Sequence, residues 1–214
     1  MTAPINNHRP TRSIPRCLKL AYTAFVAVLV PVYWFEYGPA NFLWGSDIAL
    51  LVTLAALWLE SRLLLSMMTI AILIPEQGWC ADLLIRLTIG IDAIEFKGTQ
   101  YMFETSIPLF VRSLSLFHVA LPVVLLWCLY RLGYHQLGML GQSLLSWIVL
   151  PVSYLVSNPV ENINWVYGFG GTPQTMLPEP LYVLLLMVLF PLLIYLPSHL
   201  VMGRLFSVPR GHSS

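Results

Sequence analysis

Three ionisable side chains sit inside otherwise apolar stretches of this 214-residue chain: Asp47, Arg112 and His118. An ionisable group within a bilayer costs about 2.5–3.5 kcal/mol on insertion scales, so it faces a protein interior and either pairs or performs chemistry. Histidine, with an ordinary pKa near 6.5, suits a general base, a general acid or a proton relay. The plainer role for His118 is a hydrogen-bonded packing residue. Arg112, Ser115 and His118 are spaced three apart, which on a helix spreads them over an arc of about 120°. At a rise of about 1.5 Å per residue, Asp47 and Arg112 lie on the order of 10 Å from the outer end of their spans, and His118 about 20 Å. Matching depth predicts an ion pair between Asp47 and Arg112, each charge relieving the desolvation of the other. Gly45-Ser46-Asp47 also reads as a helix start, with Ser46 as N-cap and Asp47 in the first turn.

A second polar cluster follows Ser157: Asn158, Pro159, Glu161, Asn162, Asn164, Trp165 and Tyr167. Its amides and carboxylate suit the grip of a lipid headgroup or a small polar ligand. They equally suit a turn, in which Asn side chains satisfy free backbone groups beside an aromatic belt. The candidate catalytic residues are therefore His118, Ser46 and Asp47, and the candidate substrate-binding residues are Arg112, Asn158, Glu161 and Asn162. No metal site and no cofactor is expected. The chain has no phosphate loop, no G-x-S-x-G elbow and no paired Cys-x-x-Cys, and Gly168–Gly171 does not follow a strand. His118, His135 and His199 fall at different depths, which argues against a shared metal.

The elements that must position these residues are membrane spans. The chain is 57% hydrophobic and 10% charged, with a mean hydropathy of +0.75, whereas a soluble domain carries about 25% charged residues. Six apolar blocks predict an all-α, polytopic bundle forming a single integral-membrane domain over 1–214. Spans are expected near 18–35, 41–59, 62–75, 105–130, 138–157 and 181–203. Within 76–104, Leu83, Leu84, Leu87 and Ile91 recur at helical spacing while Asp82, Arg86 and Asp92 lie elsewhere, which suggests an interfacial amphipathic helix. Arg9, Arg12, Arg16, Lys19, Arg62, Arg131, Arg204 and Arg210 fall at alternate block ends. The intervening segments hold Glu36, Glu76, Asp82, Asp92, Glu95, Glu104, Glu161 and Glu179, against Arg86 and Lys97. Lys and Arg near span ends set orientation, so both termini are expected in the cytoplasm.

With a net charge of +1 and its basic residues gathered at one face, the chain is expected to meet anionic lipid rather than nucleic acid. Membrane lipids are the expected partners, with homo-oligomerisation open. Cys17, Cys80 and Cys128 are too few and too scattered for a disulfide framework. No A-x-A cleavage site follows the first apolar run, so an uncleaved first span is expected.

The stretch His118-Val119-Ala120-Leu121-Pro122, then Tyr134, then Asn164-Trp165-Val166-Tyr167 resembles the androgen-induced six-span transmembrane hydrolase family, with a looser echo in 41–50. The resemblance implies that His118 matches the family's catalytic histidine. The family's threonine nucleophile would fall at Trp44, which cannot attack an ester; Ser46 and Asp47 come just after it. The chain also looks generally like small integral-membrane proteins of the bacterial inner membrane. The expectation is a lipid-directed acyl-ester hydrolase or transferase with an outward-facing intramembrane site. A small proton-linked transporter using Asp47, Arg112 and His118, or a non-catalytic membrane assembly partner, is the alternative.

Overall fold

The computed structural model describes residues 13–94, 98–170 and 172–206. Arg9, Arg12, Glu95, Lys97 and Arg210, used above for orientation, lie outside the described residues. The described chain is a bundle of α-helices without strands: α1 (Arg16–Glu36), α2 (Gly45–Leu59), α3 (Arg62–Thr88), α4 (Leu109–Leu114), α5 (Phe117–Leu132), α6 (Gly138–Val156), α7 (Glu179–Leu189) and α8 (Leu196–Phe206). Short 3₁₀ turns at Pro39–Leu43, Gln100–Phe103 and Ile163–Trp165 lie between them. Taking α4 with α5, and α7 with α8, five helical stretches are long and apolar enough to cross a bilayer, and α2 is a shorter apolar helix. The protein is thus a multi-pass integral membrane protein. Large apolar side chains such as Leu20, Val123, Ile148, Leu184 and Leu193 remain exposed on the outside of the bundle, where lipid covers them.

The third helix departs most from the pattern expected of the sequence. It does not stop at Pro75 but continues to Thr88, so the first half of the expected interfacial segment is the upper part of α3. Its polar side chains are turned into the protein: Asp82 and Arg86 are buried, while Leu84 and Leu87, and Ile91 just beyond the helix, are exposed. The reason is pairing. Asp82 accepts from Arg86 Nε at 3.0 Å and from the Thr99 amide and hydroxyl at 2.6 and 2.8 Å. The Arg86 guanidinium also donates to the Ile91 and Ile94 carbonyls. At about 1.5 Å per residue, 27 residues reach about 40 Å, longer than the roughly 30 Å hydrocarbon core, so the far end of α3 stands above it.

Two irregularities open the middle of the bundle. Pro75 has no amide hydrogen, which leaves the Ala71 carbonyl without its helical donor. Between α7 and α8, Phe190–Tyr195 winds as a π-helix carrying Pro191, a wider turn of a kind common at functional sites. At the opposite end of the bundle the basic residues gather. Lys19 pairs with Glu60 at 2.7 Å, Arg62 donates to the Tyr134 carbonyl, Arg131 donates to Ser13, and the Tyr134 amide donates to the Phe206 carbonyl. Close approach of α3 and α6 depends on Gly138, where a Cβ would come within 2.8 Å of the Ser66 Cβ.

Candidate intramembrane site

A cavity of about 830 Å³ lies inside the bundle, walled by α2, α3, α5, α6 and the π-helix. Its walls are mostly apolar, and His118 is among its few polar groups. His118 Nδ1 lies 2.7 Å from Glu76 Oε2, and both side chains are largely buried, at 13% and 3% exposure. The imidazole stacks against Trp79 and Phe117, with ring centroids 4.6 and 4.2 Å away. Helix continuation through Pro75 is what brings Glu76 to this height, one turn below Trp79. An ionised Glu76 accepts from Nδ1–H and so fixes the tautomer in which Nε2 carries the free lone pair. Among the described residues Nε2 has no protein partner.

Ser46 and Asp47 line the same cavity as His118, so the three candidate catalytic residues share one space. Asp47 is 4% exposed, and among the described residues its Oδ1 has no hydrogen-bond partner. Ser46 is not the helix cap: α2 starts at Gly45 after Trp44, and the Gly45 amide is already taken by Asn164 Oδ1 at 3.0 Å. Ser115 lines the cavity too, its hydroxyl 2.7 Å from the Tyr33 hydroxyl.

The four candidate substrate-binding residues lie elsewhere. Arg112 does not pair with Asp47; it donates to the Met102 carbonyl at 2.8 Å, because the chain breaks from α4 into α5 at Ser115-Leu116 through i→i−3 bonds and the polar arc is not carried by one straight helix. Asn158 and Glu161 are exposed and bond to each other, with Asn158 Oδ1 also accepting from the Val160 and Glu161 amides. Asn162 is buried, accepting from the Tyr167 amide and donating to the Gly168 and Gly170 carbonyls. These three build the loop after α6 and are not in the cavity wall.

Sequence reasoning missed Glu76 as a member of the site and placed Asn164 only in the outer polar cluster. Glu76 looked like part of an outer connection because it follows a proline and precedes more charge. Its signal was Glu76-Gln77 directly after the proline, two good helix formers that can carry the preceding apolar helix onward. Asn164 reaches from the loop after α6 to the start of α2, and its Nδ2 donates to the Leu43 carbonyl and the Ser153 hydroxyl at 2.7 and 3.0 Å. No spacing in the chain announces a contact across more than a hundred residues. Tyr101, also in the wall, stands in the 3₁₀ turn above the cavity, and burial pushes its hydroxyl well above the ordinary tyrosine range. No protein-family model, no curated protein and no solved structure matches this chain.

Proposed function

We propose that the protein is a lipid-directed hydrolase or transferase acting on an acyl ester within the membrane. The observation that carries this reading is the Glu76-held His118, its Nε2 free, beside an apolar cavity large enough for an acyl chain. A carboxylate-oriented imidazole is the recurring form of a general base. In the reaction, His118 Nε2 takes a proton from water as the oxygen attacks the ester carbonyl. The carbon–oxygen bond to the alcohol then breaks, and the same nitrogen returns the proton to the leaving alkoxide, giving acid and alcohol. Ser46 makes no hydrogen bond to His118 among the described residues, so water is favoured over Ser46 as nucleophile. The resemblance to the androgen-induced hydrolases points to the same histidine.

We take α2 as a sixth span, made possible at 15 residues by the 3₁₀ turn Pro39–Leu43 in front of it. The basic end of the bundle then faces the cytoplasm with both termini, the cavity's polar end lies toward the outer leaflet, and the membrane is a bacterial inner membrane. A proton-linked transporter is the second reading, favoured by the sharing of one cavity by Asp47, Glu76 and His118. The test is turnover of a panel of fatty-acyl esters by purified protein. The expected outcome is hydrolysis that falls by about two to four orders of magnitude in His118→Ala. Equal turnover by wild type and His118→Ala would remove the histidine from the mechanism, and solute flux abolished by Asp47→Asn without ester turnover would favour the transporter.

A further inference from the structure

The cavity wall holds three carboxylates, Asp47, Glu76 and Asp82, and one basic side chain, His118. Asp82 is neutralised by Arg86 and Glu76 is held by His118. Among the described residues Asp47 has neither a counter-charge nor a hydrogen bond at Oδ1, although it is 4% exposed. A buried carboxylate without a partner is strongly disfavoured, so such a group either takes up a proton or is stabilised by a cation arriving from the cavity. The surroundings match that need. Tyr33, Tyr37, Tyr101, Trp44 and Trp79 line the same cavity as Asp47. Aromatic faces beside an acid attract alkylated ammonium groups, which a carboxylate alone, competing with water, holds poorly.

We infer that Asp47 and these rings form a binding site for an organic ammonium group, carried by a lipid headgroup or by a free amine. The acyl-sized remainder of the cavity runs from this site toward Phe190, Ile194 and Tyr195, so one amphiphile fits with its cationic end at Asp47 and its chain against the π-helix. Binding needs no turnover, and the site therefore stands or falls separately from the ester chemistry.

The experiment is a titration of tryptophan fluorescence, with the protein in neutral maltoside micelles and dodecyltrimethylammonium added as a minor component. A saturable change is expected, absent with a neutral alcohol of the same chain length. In Asp47→Asn, which keeps the shape of the side chain, affinity falls at least about tenfold. Tyr37→Leu weakens binding about fivefold while Tyr37→Phe, which keeps the ring, does not. Glu179→Gln, outside the cavity, leaves binding unchanged. Displacement of the amphiphile by tetramethylammonium identifies a free amine as sufficient; resistance to it identifies the lipid-borne group, and either result upholds the ammonium site. Equal affinity in wild type and Asp47→Asn, or equal binding of the alcohol, overturns it and leaves Asp47 as a carboxyl that stays protonated.

Discussion

Asn164 shows how much one amide can hold together. It accepts from the first amide of α2 and donates to both the Leu43 carbonyl and the Ser153 hydroxyl, so it fastens the entry to α2 onto α6. Its backbone is left-handed, φ 54°, a conformation asparagine tolerates better than most residues. Asn164→Ala leaves a helix start uncapped and two buried groups unmatched, which costs about 1–3 kcal/mol. The expected result is a lower midpoint of thermal unfolding in detergent; a change of under about 0.5 kcal/mol would show that the cap is redundant. Of the site itself, His118, Ser46 and Asp47 were legible because a polar residue in an apolar run stands out. Arg112, Asn158, Glu161 and Asn162 stood out for the same reason, yet each is consumed by a nearby carbonyl, amide or carboxylate that composition cannot reveal.

At the scale of elements, α3 is the organising feature. Its lower part packs in the membrane, Pro75 and Glu76 furnish the cavity wall, and its upper turns hold the connection that follows through Asp82 and Arg86. Removing one partner of a buried ion pair costs about 3–5 kcal/mol because the other charge is stranded. In Asp82→Asn the connection around Thr99 is therefore expected to exchange amide hydrogens faster, while the lower half of α3 remains protected. Uniform acceleration along the whole helix would contradict a local clasp. The sequence pattern placed five of the helices within a few residues of their observed limits, since length and hydropathy follow directly from the bilayer. It ended α3 early because proline and charge ordinarily mark water, and here the charges are instead satisfied by one another.

For the whole molecule, the two ends of the bundle do different work. One end ties the chain together: Lys19, Glu60, Arg62, Arg131 and Tyr134 link the starts and finishes of α1, α2, α3, α5 and α8. The Lys19 ammonium, by hydrogen bond above all, holds the Glu60 carboxyl below the ordinary glutamate range, and the Ile14 amide assists. A carboxyl whose pKa is lowered by folding stabilises the folded state above its unfolded value, about 4.3, and loses that contribution as pH falls through the folded value. The melting temperature of Glu60→Gln is expected to decline less than that of wild type between about pH 5 and pH 3; parallel declines would show that the pair does not respond to acid. The other end, carrying the longer loops and the 3₁₀ turns, frames the cavity. Architecture was therefore readable from the pattern of apolar blocks, whereas the cavity depends on a π-helix, a proline within α3 and a loop asparagine, none of which has a periodicity.

If Glu76 and His118 form one catalytic unit, as proposed, the single and double variants will differ from two independent residues. Residues of one unit are non-additive, because once the base is gone its orienting partner has nothing left to orient. With an acyl ester turned over by wild type, Glu76→Gln and His118→Ala are each expected to lower kcat/KM, and the double variant is expected to be no slower than His118→Ala alone. Multiplying losses, full activity in either single variant, or no turnover of any acyl ester by the wild-type protein would contradict it.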